Sequence, residues 1–188
     1  MKKFIFTLLI SLFALNVVAQ KDVTKFLGIP VDGPKSEMIQ KLKAKGFEEI
    51  PYSDGTLKGE FNGFDVTIYI QTNNNKVWRI IVADQNSMDA SNIKTRFNNL
   101  HYQFNNNTKY ITAQDFTIPQ NEDIGYEMLV NKKKYHAVFY QLAEETTQDF
   151  ATTTTMKQVW FTIIGEYSDF KLAIYYENLY NKANGEDL

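Results

Sequence analysis

From Leu57 to Ala83 the chain alternates with a period of two, and Asn62-Gly63 interrupts the alternation. Leu57, Gly59 and Phe61 alternate with Lys58 and Glu60. After the Asn-Gly pair, Phe64, Val66, Ile68 and Ile70 alternate with Asp65, Thr67 and Tyr69. A type I′ turn needs two positive φ angles, and Asn-Gly tolerates both, so this pattern predicts a tight antiparallel hairpin. Asn73-Asn74-Asn75 predicts a second turn and Val77 to Ala83 a third strand. A chain built around this segment is committed to a meander with one apolar face, and the rest of the sequence has to supply what covers it.

A helix precedes the meander. Pro34 suits a first helical turn, Met38, Ile39 and Leu42 share one face, Gly46 suits a C-terminal cap and Phe47 packs back behind it. Upstream, Val23 to Val31 reads as a strand or extended arm ending at Asp32-Gly33. An extra short strand falls near Glu49 to Tyr52.

The order then repeats. Ser87 or Asp89 can cap a second helix, with Ile93, Phe97 and Leu100 on its stripe. Phe116 to Ile118, Tyr126 to Val130 and Tyr135 to Gln141 read as strands. Val159-Trp160 echoes Val77-Trp78, 82 residues away. Ala143 to Lys157 reads as a polar, exposed insertion, and Phe170 to Tyr176 as a last strand after a turn at Tyr167-Ser168-Asp169. The expected fold class is α+β, with two related halves at about 23–85 and 86–180. Each is a helix plus an antiparallel sheet of α-βββ type, with the helices packed on one sheet face. A polar tail runs to Leu188.

Met1-Lys2-Lys3, the apolar run from Phe4 to Val18 and the small residues of Val17-Val18-Ala19 have the layout of a secretory signal peptide cut after Ala19. The run is about fifteen residues, short of the roughly 20 a spanning helix needs. The expected product is a single exported domain over residues 20–188, soluble, in the periplasm or outside the cell, with no stable membrane insertion. The chain has no cysteine, so no disulfide staples it and the fold stands on its hydrophobic core. Without Lys2 and Lys3 the 20 basic residues fall to 18 against 22 acidic. That balance argues against a nucleic-acid partner, which needs a basic field.

Two stretches carry a resemblance. Phe26-Leu27-Gly28-Ile29-Pro30-Val31-Asp32-Gly33, followed by Met38-Ile39 and Leu42 to Phe47, resembles small secreted bacterial proteins of unknown function. So does the end from Tyr176-Glu177-Asn178-Leu179-Tyr180-Asn181 to Gly185-Glu186-Asp187-Leu188. The duplicated helix-plus-sheet order is loosely similar to β-lactamase-inhibitor-protein-like folds, though this chain lacks the inhibitor's disulfide cysteines. The resemblance implies an architecture and a binding role, and no site residue.

The motifs for most chemistries are missing. His101 and His136 are isolated, no Ser stands in a Gly-x-Ser-x-Gly elbow, and neither a phosphate loop nor a dinucleotide fingerprint occurs. No catalytic residue, metal site or cofactor is expected. Asn121-Glu122-Asp123, the nearest oxygen-rich loop, reads as an exposed turn. A carboxylate pair for hydrolysis needs only two acids in reach, and nothing selects one. The positive hint is aromatic. If Val66, Ile68, Ile70, Trp78, Ile80 and Val82 face the helices, the other face holds Thr67, Tyr69 and Arg79, joined in the second half by Phe139, Phe161 and Tyr175. The expected function is an exported, non-enzymatic binding module. Its partner, a protein or cell-envelope component, meets Tyr69, Arg79, Phe161 and Tyr175. A glycan-binding accessory protein is the alternative, and a carboxylate-dependent hydrolase the third reading.

Overall fold

In the computed structural model, residues 21–145, 147, 149–166 and 169–183 are described. The segment expected to be a signal peptide, residues 167–168 of the expected turn and the end of the tail lie outside them. The elements run β1 (Lys25–Phe26), β2 (Ile29–Pro30), α1 (Lys35–Lys43), β3 (Glu48–Glu49), β4 (Leu57–Phe61), β5 (Phe64–Asn73), β6 (Lys76–Asp84) and α2 (Ala90–Asn105). They continue with β7 (Tyr110–Gln114), α3 (Ile124–Leu129), β8 (His136–Gln141), α4 (Phe150–Thr155), β9 (Lys157–Glu166) and β10 (Asp169–Asn178). The fold is α+β: among the described residues, four helices accompany an antiparallel eight-stranded sheet in the order β3-β4-β5-β6-β10-β9-β8-β7, and β1-β2 pair apart from it. No described helix is long and apolar enough to cross a membrane.

The meander forms where local chemistry demands it. Phe61 pairs with Phe64 across a two-residue turn in which Asn62 has φ 53° and Gly63 φ 78°, the two left-handed angles of a type I′ turn. Asn74 (φ 48°) and Asn75 (φ 60°) close β5 onto β6 in the same way. At the end of α1, Gly46 takes φ 97° and the Phe47 N–H donates to the Leu42 carbonyl at 3.2 Å, so the buried Phe47 ring folds back on the helix. Asp89 caps α2 by accepting from the Asn92 N–H at 2.8 Å.

One hydrophobic cluster holds these elements together. Val66, Ile68 and Ile70 of β5, Val159, Phe161 and Ile163 of β9, and Leu172, Ile174 and Tyr176 of β10 join it. Met38 and Leu42 of α1 and Ile93, Phe97 and Leu100 of α2 complete the contact. The segment before α1 ties onto the end of β10: Thr24 Oγ1 donates to the Glu177 carbonyl, and Asn178 Nδ2 donates to the Val31 carbonyl at 2.8 Å.

Four sequence expectations are corrected. Val23 to Val31 is not one strand but a miniature hairpin turning at Leu27 (φ 51°) and Gly28 (φ 79°). Tyr126 to Val130 is helical, because Asp123 accepts from the Tyr126 N–H at 3.0 Å and starts α3. Phe116 to Ile118 is not a strand. The Asn98 side chain on α2 donates to the Ile118 carbonyl at 2.9 Å and accepts from its N–H at 2.8 Å, so a side-chain amide replaces a neighbouring strand. The polar insertion is not simply an exposed loop: α4 lies within it, Asp149 caps it, and the buried Thr154 hydroxyl accepts from the Ala143 N–H at 3.0 Å.

The Val-Trp echo does not mark equivalent strands. Trp78 lies on β6 and Trp160 on β9, on either side of β10. Counted inward from the two sheet edges, the mate of β6 is β10 and the mate of β9 is β5.

Candidate binding face

Successive strand side chains alternate between faces, so residues that skip the hydrophobic cluster line up on the opposite face. Register places them in rows. Tyr69 pairs with Ile81, Ile81 with Tyr175, Tyr175 with Trp160 and Trp160 with Val138. The adjacent row runs Gln71, Arg79, Glu177, Gln158 and Tyr140. β10 is the spine of both rows, because from Ala173 to Glu177 it is paired with β6 on one side and β9 on the other.

The two rows interlock. Trp160 and Tyr175 stack with ring centroids 3.8 Å apart and an interplanar angle of 3°. The Arg79 guanidinium carbon lies 3.9 Å from the Trp78 ring centroid and 5.4 Å from that of Tyr175. Arg79 forms an ion pair with Glu177, and the Trp160 indole N–H donates to the same Glu177 oxygen at 2.9 Å. Arg79 also donates to Gln71 Oε1 at 3.3 Å. The Glu177 side chain is only 2% exposed. A carboxylate removed from water needs such compensation, and here a guanidinium and an indole provide it. Burial pushes the Tyr175 phenol above its ordinary range and the Glu177 charge adds to this, while Arg79 opposes it, so the phenol is neutral at neutral pH.

The structure brings Tyr69, Arg79 and Tyr175 onto this face. Phe161 is not there. It is fully buried, with its ring 5.0 Å from Phe97, 5.8 Å from Phe104 and 5.9 Å from Phe139. Phe139 is buried with it. The error is a single-residue slip, which moves a whole strand's side chains to the other face. Trp160 takes the place expected for Phe161. Gln158 and Thr162, polar neighbours at the same parity, were the signal for that register. Trp78 was expected to face the helices. A register shift between Gln71 and Thr72 leaves it as the extra residue of a β-bulge, with its ring against Arg79. Glu177 carried no such signal, since its burial depends on side chains from two neighbouring strands.

Of the other candidate groups, Glu122 and Asp123 are engaged, while His101 Nε2 is buried without a hydrogen bond. His101 is buried, 2.9 Å from Asp115 and 5.6 Å from the Phe139 ring. Glu122 accepts from Lys133 and, at 2.7 Å, from the Tyr135 hydroxyl, while Asp123 caps α3. Lys133 and Tyr135 hold the Glu122 carboxyl below the usual range, and burial together with Glu122 drives the Tyr135 phenol far up. Among the described residues no cluster of three or more His, Asp or Glu is placed to hold a metal ion.

No protein-family model matches this chain, and neither a curated protein nor a solved structure is significantly similar to it.

Proposed function

We propose that this chain is an exported binding module, cut after Ala19, whose partner is a protein or cell-envelope component. The partner meets the face formed by Tyr69, Ile81, Tyr175, Trp160 and Arg79. The observation that carries this reading is the ladder of Trp78, Arg79, Tyr175 and Trp160 locked over a buried Glu177. Its side chains are held in place before any partner arrives, and rigid Tyr, Trp and Arg groups are the residue types that dominate binding hot spots. Tyr69, 45% exposed, extends the row toward solvent. As part of the same proposal, the two halves are related copies with their helices on one sheet face. The mirrored strand order supports this reading, with β6 and β10 as the matched strands.

The alternative, sugar binding by aromatic stacking, has less to rest on. Trp160 and Tyr175 turn one ring face to each other and Trp78 turns one to Arg79. The exposed Tyr69 ring is then its main platform. The hydrolase reading has no second carboxylate beside Glu177 among its described contacts, which are Arg79 and Trp160.

The test is recovery of a partner from envelope extract with the wild type, Tyr69→Asp and Tyr52→Asp. Tyr52 is fully exposed and lies between β3 and β4, off this face. The expected result is loss with Tyr69→Asp, retention with Tyr52→Asp, and loss from protease-treated extract. Equal recovery with all three proteins would remove this face from consideration.

A further inference from the structure

A groove opens where the β1–β2 turn, the β4–β5 turn, α2 and β7 meet. Its volume is about 350 Å³, at the small end of the roughly 300–1,000 Å³ typical of ligand pockets. Leu27, Phe61, Leu100 and Phe104 give it apolar walls. Asn62 Nδ2 donates to Gln103 Oε1 at 2.8 Å and ties the β4–β5 turn to α2 beside it.

Two observations single this groove out. Tyr176, on β10, lines it and is only 4% exposed, its ring 4.9 Å from Phe26. Its hydroxyl makes no hydrogen bond with any described residue, whereas neighbouring Tyr110 accepts from Gln141 Nε2 at 3.3 Å. Among the described residues the Tyr176 oxygen is not one of the enclosed atoms without a partner, which are Arg79 Nε, Arg96 Nε and His101 Nε2, so it opens to the groove, where a phenol can meet a ligand. The second observation is Leu27. It holds φ 51° in a two-residue turn where Asn would be relaxed, and it is 39% exposed. Strain that keeps an apolar side chain at the rim of a cavity points to a use for that side chain. The Lys25 ammonium at the same rim is neutralised by Glu144.

We propose that this groove binds a small, uncharged amphipathic molecule. Its alkyl or aryl body lies among Leu27, Phe61 and Leu100, and its hydroxyl or carbonyl oxygen meets the Tyr176 hydroxyl. The site is separate from the aromatic ladder and does not depend on the reading of that face.

The experiment is a titration with 1-octanol, and in parallel with octanoate, followed by the methyl resonances of Leu27 and Leu100. Saturable shifts at both leucines with 1-octanol, and weaker ones with octanoate, are expected. Absence of saturable shifts at these methyls, or equal binding of octanoate, overturns the proposal. Tyr176→Phe removes one oxygen that bonds to no described residue, so the thermal midpoint should hold while 1-octanol affinity falls about two- to tenfold. Leu27→Asn keeps the turn and removes a wall, and it should also weaken binding. Unchanged affinity in either folded variant overturns the assignment.

Discussion

Phe161→Ala is the sharpest test of which face of β9 is core. The ring is fully buried and touches three others, Phe97, Phe104 and Phe139, at centroid distances of 5.0 to 5.9 Å. Truncation removes the transfer free energy of a phenyl group and leaves a cavity lined by aromatic carbon, which does not admit water. Such substitutions cost about 3–5 kcal/mol. Three lost ring contacts place this one at about 4 kcal/mol. With a urea slope of about 2 kcal/mol/M for a chain of this size, the unfolding midpoint should fall by roughly 2 M. Far-UV circular dichroism is the right probe, because Trp160 sits next in sequence and its fluorescence would report the local change as well as unfolding. The comparison is Tyr69→Ala, at a half-exposed position on the opposite face, which should cost about 1 kcal/mol or less. The slopes must agree between variants for the midpoints to be compared. Equal midpoint losses for the two variants would refute the register on which the binding face rests.

Two further outcomes follow from the geometry. A Cβ built on Gly63 meets nothing within 4 Å, so Gly63→Val acts through φ 78° alone and should destabilise by about 1–2 kcal/mol in urea unfolding; an unchanged midpoint would mean the turn relaxes without cost. Glu122 titrates below the usual carboxylate range in the folded chain because of Lys133 and Tyr135. Its contribution to stability is therefore present above the unfolded value of about 4.3 and is lost as pH falls through the lower folded value. Urea midpoints measured from pH 6 down to pH 2 should show a shallower acid loss in Glu122→Gln than in the wild type, and identical profiles would contradict this.

What the sequence determined by itself is local. Asn62-Gly63 specifies its turn because the sign of φ depends on the residue and its neighbours. The stop at Gly46-Phe47 is set in the same way, whereas the sequence left the α2 cap between Ser87 and Asp89 and the structure places it at Asp89. Alternation along β5 was legible because polar and apolar residues there take strict turns, and it correctly placed Tyr69 opposite Ile68. Tertiary structure decided the rest. In Val159-Trp160-Phe161 three apolar residues stand in a row, so the parity of Gln158 and Thr162 is a weak signal and packing against Phe97 and Phe104 decides which ring goes inside. The bulge that frees Trp78 arises from the pairing of β5 with β6. The alternating stretch Phe116-Thr117-Ile118 looked like a strand until Asn98, distant in sequence and near in space, took the backbone hydrogen bonds of Ile118. Glu177 became part of the face for the same reason. A carboxylate can be buried only where a guanidinium and an indole N–H from neighbouring strands converge on it, and that convergence is a property of the order β6-β10-β9, which no local pattern encodes.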